Sequence, residues 1–299
     1  MDSTERLAGL FETHRGHLRA VAYRMLGSAN EADDAVQEAW LRLSRTDAEA
    51  IRNLEGWLTT VVARVCLDML RSRKARREET LDTEIVEPLA QTERVIDPEE
   101  EALLADSVGL ALLVVLDTLA PAERVAFVLH DVFDVSFDEI ASIVGRTPAA
   151  ARQLASRARR RVRGEDTVPT SDLQSQRVVV DAFLNALRAG DFNGLVAVLD
   201  PDVVVRLDPG AGAPGAGAPG APREIHGAEN WARGAVAFSR LARFVQPTLI
   251  NGEVGLVFAT GGKLSRALTF TITNRRIVEV EIIADAARLQ KLDLAVLDS

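Results

Sequence analysis

The chain has 299 residues, 47% of them hydrophobic, and a formal net charge of −9. The length suits more than one domain, the apolar share is enough for real cores, and the acidic balance argues against a basic coat for indiscriminate nucleic-acid binding. A local basic surface stays open, since a patch acts on a partner within roughly 10 Å at physiological salt.

The single cysteine, Cys66, cannot form an internal disulfide, so a reducing cytoplasm is the expected compartment. The N-terminal stretch is charged and lacks the apolar core of a secretory signal. No apolar run approaches the roughly 20 residues that span a membrane. The histidines are scattered and make no metal set with one cysteine. No metal and no cofactor are expected.

In chain order, the first elements read as helices. In "GSANEADDAVQEAWLRLSR", Ser28 and Glu31 stand at capping-box spacing. Ala35, Val36, Ala39, Trp40 and Leu43 follow as an apolar stripe, with Asp33, Asp34, Gln37 and Glu38 around it. "NLEGWLTTVVARVCLDMLRSRKARR" is a further helix whose end turns basic through Arg64, Arg71, Arg73 and Lys74. An acidic stretch holding Glu87, Pro88 and Pro98 then reads as a linker.

Beyond it, "ADSVGLALLVVLDTL" predicts one helix, and Pro121 suits the first position of the next. Ser136 and Glu139 form a second capping-box pair ahead of "FDEIASIV". Gly145 stops that helix, Thr147 caps the following one and Pro148 opens it. Short helix, glycine-containing turn and capped second helix make a helix-turn-helix. The second helix, "RTPAAARQLASRARRRVRG", holds seven arginines and no acid. In such a motif this helix enters the major groove. Ala149, Ala150 and Ala151 are small enough for close approach. Arg152, Gln153, Ser156, Arg157 and Arg160 then reach base edges or phosphates, while Arg159, Arg161 and Arg163 meet phosphates.

After a short break the pattern changes. Helical "LQSQRVVVDAFLNALRAGDFNGLVAVL" leads to β-rich runs, "VVVRLD", "FVQPTLI", "EVGLVFAT", "LSRALTFTIT" and "RIVEVEIIA", with Asn251-Gly252 and Asn274 as turn signals. This is a separate α+β domain, interrupted by a Gly/Ala/Pro loop from Pro209 to Pro222 that is expected to be flexible.

The segments "HLRAVAYRMLGSANEADDAVQEAWLRL", "NLEGWLTTVVARVCLDMLRSRKARRE" and "LAPAERVAFVLHDVFDVSFDEIASIVGRTPAAARQLASRARRRV" resemble, in the right order, regions 2 and 4 of extracytoplasmic-function sigma factors of bacterial RNA polymerase. The remainder resembles the SnoaL-like (NTF2-like) extension of the sigma-J type. The resemblance implies a multidomain chain: a region 2 domain over 1–77, a linker over 78–105, a helix-turn-helix region 4 domain over 106–164, a second linker over 165–171, and an α+β cone-shaped barrel over 172–299. It implies binding to core polymerase through Asp33, Asp34, Gln37, Glu38 and Trp40. Arg64, Arg71, Arg73 and Lys74 would meet the minus-10 element, and Thr147, Ala149, Arg152, Gln153, Ser156, Arg157 and Arg160 the minus-35 element. Glu87 and Pro88 would belong to a regulatory linker. Polymerase core and promoter DNA are the implied partners, with no separate anti-sigma factor required, no membrane, and room for a small ligand in the barrel.

The sequence departs from the sigma-J type at three short motifs. It has "IVEPL" in the linker, a glycine-rich continuation after Asp208, and "ADAARLQKL" near the end. An enzymatic extension would draw on Asp208, His226, Glu279 and Glu281, but two carboxylates on the polar side of a half-buried strand are ordinarily solvated. A free-standing ligand-sensing repressor or activator is the other alternative, and it would need neither the acidic helix with Asp33 and Asp34 nor the basic helix end with Arg64 and Lys74.

Overall fold

The computed structural model describes residues 3–46, 51–80, 109–164, 170–208, 223–260 and 263–297. The acidic linker with Glu87 and Pro88, the break after Gly164 and the Gly/Ala/Pro loop lie outside them. The chain forms two compact units. The first holds the N-terminal helices and the segment from Leu119 to Arg160; the second holds the helix just before Leu119 and everything from Arg161.

In the first unit, α1 (Ser3–Leu26), α2 (Ala29–Leu43) and α3 (Leu54–Thr80) pack on one another. Leu18, Ala22, Met25, Val36, Leu43 and Leu58 are all buried in their common core. Gly27, at φ 72°, turns the chain between α1 and α2, and its N–H donates to the Tyr23 carbonyl at 2.8 Å. Ser28 caps α2 by accepting from the Glu31 N–H at 3.4 Å. The expected capping box is only half made, because the Glu31 carboxylate accepts from Arg73 of α3 instead.

The helix-turn-helix follows the expected punctuation. Helix α4 (Leu110–Thr118) precedes α5, which starts at Pro121, runs to Phe127 and continues as a π-helical turn over Val128–Val132. Before α6 (Phe137–Val144), Ser136 and Glu139 make the complete reciprocal box. Gly145, at φ 69°, takes the left-handed conformation that ends α6. Helix α7 (Pro148–Arg163) is capped by Thr147, whose hydroxyl accepts from the Ala150 N–H at 3.2 Å.

In the second unit, α8 (Thr170–Ala189) and α9 (Phe192–Val198) lead into β1 (Leu199–Leu207). Then come β2 (Arg223–His226), α10 (Ala228–Val236), β3 (Val245–Ile250), β4 (Glu253–Thr260), β5 (Lys263–Thr273), β6 (Arg276–Ile283), α11 (Ala286–Leu289) and β7 (Leu294–Ala295). The order in the sheet is β2-β1-β6-β5-β4-β3-β7. Only β1 and β6 run parallel. The α+β reading holds, but β2 and β7 are edge strands, so the sheet is open and not a closed barrel. Asn251 and Gly252, both at positive φ, join β3 to β4, and Asn274 and Arg275 do the same for β5 and β6. These are the two-residue turns whose twist matches antiparallel strands.

His226 ends the short strand β2. Helix α10 stops at Val236, and turns with a short 3-10 segment at Ala242–Phe244 lead on to β3. One face of the sheet packs on α8 and α10, with Phe183, Trp231, Leu256, Phe270 and Val280 buried there. Helix α4 packs on β3, β4, β5 and β7 of the same sheet. The first helix that the sequence assigned to the helix-turn-helix domain therefore buries its apolar surface in the α+β unit.

Candidate polymerase and nucleic-acid interfaces

Helix α7 sorts its residues by the helical period. Ala151, Ala155 and Ala158 are buried and seat the helix on its own unit. Thr147, Ala149, Arg152, Gln153, Ser156, Arg157 and Arg160 are exposed. From Ala149 onward these recur at intervals of three and four and make one continuous stripe. Ala151, expected to ease approach to bases, faces the core instead, because small residues at that spacing also allow close helix packing. Arg157 and Arg159 are tethered. Arg157 Nε donates to Glu123 of α5 at 2.8 Å, and Arg159 pairs with Asp131. Arg152 lies over the Phe137 ring, 5.4 Å from its centroid, a cation–π contact that steadies the side chain.

On α3, Arg64, Arg71 and Lys74 are exposed, whereas Arg73 is largely buried. Arg73 donates to the Leu26 carbonyl at 3.2 and 3.3 Å and to Glu31, and so ties α3 to the α1–α2 corner. Arg71 stands 3.7 Å from Asp68 on its own helix. Arg64 donates to the Ser142 carbonyl of α6 at 3.3 Å.

On α2, Asp33, Asp34 and Gln37 are exposed, and Glu38 and Trp40 are half-buried. Asp33 accepts two bonds from Arg19 of α1, at 2.8 and 3.4 Å, and Glu38 accepts from Arg42 at 2.9 Å. Trp40 stacks at a tilt on Phe11 with centroids 5.1 Å apart, so its ring is mostly packed. Sequence reasoning missed Leu41, which is 40% exposed. It follows Asp34, Gln37 and Glu38 at helical spacing, so it puts an apolar centre into an acidic face. The signal was a leucine on the polar side of the stripe.

The first unit also joins its two helical parts. Helix α3 packs on α5 and α6. Phe133, just after the π turn, meets His17 edge-on at 5.4 Å and lies under Arg24 at 5.1 Å. Cys66 is buried in α3 near Arg124 of α5, and burial pushes its thiol up to about 12.

Three of the four residues weighed for enzymatic chemistry are held in ion pairs, and His226 lies beside a carboxylate. Asp208 accepts from the Ala284 and Asp285 N–H groups at 3.2 and 3.3 Å and pairs with Arg288. Arg288 also bonds Glu281 at 2.6 Å, which raises the Arg288 pKa above its ordinary value. Glu279 pairs with Arg206, which also binds Glu224 at 3.0 Å. His226 is exposed, 3.5 Å from Glu224.

Comparison with known proteins identifies the family. Residues 10–76 match the family described as Sigma-70 region 2, and residues 109–162 match Sigma-70, region 4. Both regions in this order define a sigma factor of RNA polymerase. "ECF RNA polymerase sigma factor SigJ" of Mycobacterium tuberculosis is 40% identical over 82% of this chain and 78% of its own length. "Probable ECF RNA polymerase sigma factor SigI" of the same species is 32% identical over 98% of both chains. The crystal structure of the Mycobacterium tuberculosis SigJ protein covers 94% of this chain and 97% of its own, at 32% identity and a TM-score of 0.45. The chain belongs to the extracytoplasmic-function RNA polymerase sigma factors. It is a promoter-directing transcription initiation factor and not an enzyme. Among the described residues no helix is long and apolar enough to cross a membrane.

Proposed function

We propose that three surfaces of this sigma factor divide the work of initiation in the cytoplasm. The face of α2 with Asp33, Asp34, Gln37, Glu38 and Trp40 docks on core polymerase. Arg64, Arg71, Arg73 and Lys74 serve the opened minus-10 strand, Arg73 by fixing the helix that carries the others. Thr147, Ala149, Arg152, Gln153, Ser156, Arg157 and Arg160 read the minus-35 element. The observation that carries this reading is the single exposed stripe on α7, rich in guanidinium groups suited to guanine edges and phosphates.

The α+β unit modulates the activity in cis, through the linker with Glu87 and Pro88 and through α4, and no separate anti-sigma factor is required. Two observations support this. Helix α4 is packed on the sheet, and it is covalently followed by the helix-turn-helix. In the first unit the helix-turn-helix rests on α3. The two promoter elements lie about 85 Å apart at 3.4 Å per base pair, so reading both requires that packing to open. A closed first unit therefore favours restraint of the sigma core.

The test is transcription by purified core polymerase on the gene's own upstream DNA. Wild-type protein should give a discrete start, and Asp34→Lys should abolish it by loss of core binding. Asp34 is the better probe because Asp33 also holds Arg19. An Asp34→Lys protein that still co-purifies with core at wild-type yield would overturn the docking assignment.

A further inference from the structure

Between α8, α10 and the sheet lies a cavity of about 70 Å³. Phe183 and Leu187 of α8, Trp231 of α10, and Leu207 and Ile282 of the sheet give it apolar walls. Leu241, 43% exposed, also lines it. An exposed lining residue means that the space is in touch with solvent on that side.

One lining residue is charged. Arg266 stands on β5 and is 8% exposed. Its guanidinium lies over the ring of Phe258, its cross-strand partner, 5.7 Å from the centroid. Among the described residues nothing hydrogen-bonds or ion-pairs with it, and its nitrogens keep some contact with solvent. Burial alone shifts its pKa, downward, with no neighbouring acid to oppose the shift. The indole N–H of Trp231, another lining residue, is buried with no acceptor. Buried charges are ordinarily paired, since an uncompensated one is costly. The lining side chains therefore offer donors and no acceptor. Asp208, Glu279 and Glu281, the nearby carboxylates weighed for catalysis, are engaged elsewhere and do not line the cavity.

We propose that this cavity is a binding site for a small apolar carboxylic acid, with the carboxylate on Arg266 and a short acyl or single-ring body against Phe183, Leu187 and Trp231. The guanidinium fork matches a carboxylate in plane and in charge. A single cation cannot balance a phosphate dianion in a space this apolar. At about 70 Å³ the cavity limits the body to a short chain or one ring.

Hexanoate, with hexan-1-ol as its neutral counterpart, tests this on the full chain. Hexanoate should raise the melting temperature saturably and bind about ten-fold more tightly than the alcohol, the effect of a charge-assisted hydrogen bond. Arg266→Met keeps the length and removes the fork. It should bring the two probes to equal affinity, while circular dichroism confirms the fold. Ala235→Leu fills part of the cavity without touching charge and should abolish the hexanoate response. The absence of a saturable response in the wild type overturns the site. So does a preference for hexanoate that survives Arg266→Met, or an unchanged response in Ala235→Leu. These readouts are of binding alone, so they stand or fall separately from the assignment of the promoter and polymerase surfaces.

Discussion

At the scale of single residues, the same chemistry serves different ends according to its neighbours. Arg71 and Arg73 sit two residues apart on one basic helix end. Arg71 is exposed, while Arg73 reaches the carbonyl that ends α1 and the carboxylate that opens α2. Arg157 and Arg159 are likewise drawn to Glu123 and Asp131, acids more than 25 residues away in sequence. No local pattern discloses such partners. Cys66 gives the residue-scale prediction. Burial favours its neutral thiol in the folded state, with a pKa of about 12 against an ordinary value near 8.5. A group raised in this way contributes stability that is fully present below its unfolded pKa and is lost as pH rises toward the folded value. Native protein at pH 8 should therefore resist a thiol-specific reagent, and denatured protein should react at once. Rapid stoichiometric labelling of the native chain would show that α3 opens readily around this position.

At the scale of elements, punctuation and burial pattern explain most boundaries. The Ser136–Glu139 box, the left-handed Gly145 and the Thr147 cap set the helix-turn-helix within a residue or so of the sequence reading. Replacing Ser136 by Ala should cost about 1 kcal/mol, the usual value of a helix N-cap. Chemical denaturation should show that loss, with promoter binding at saturating protein little changed. A loss near zero would mean that α6 is held by packing alone. The strand β4 illustrates the opposite dependence. "EVGLVFAT" is a nearly continuous apolar run, and in the fold both faces of the strand are buried. Gly255 is needed within it, because a Cβ there would stand 2.7 Å from the Leu268 carbonyl oxygen. The run signals a doubly covered strand, yet it does not say what covers the second face. Nor did the apolar character of α4 all round say what it would pack on, although a helix of that kind is buried on more than one side.

At the scale of the whole molecule, the compact units are not the linear segments. Helix α4 belongs by sequence to the region 4 match and by packing to the α+β unit. A chain ending at Gly164 keeps α4 but loses the sheet beneath it. Each fully buried Leu or Val is worth about 1.5–3 kcal/mol, and Leu110, Leu113, Val114, Val115 and Leu116 are all buried here. The truncated protein should self-associate, as sedimentation velocity would show, and wild-type regulation should not be inferred from it. A monodisperse, fully stable truncated monomer would mean that the α4–sheet packing contributes little.

The sequence by itself determined the family, the order of the helical regions, the helix-turn-helix and its exposed stripe, and the α+β class of the extension. These rest on local signals, namely caps, turn residues and the two periodicities of helix and strand, which act within a few residues along the chain. Tertiary structure alone decided that Arg73 braces a corner, that Asp208, Glu279 and Glu281 are held in ion pairs, that the sheet stays open, and that α4 joins it. It also placed Arg266 in an apolar cavity, where a strand residue flanked by Ser265 and Ala267 reads in sequence as an ordinary surface cation. Each of these outcomes depends on which distant groups share a low-dielectric interior, and pairing across long sequence separations leaves no periodic trace in the chain.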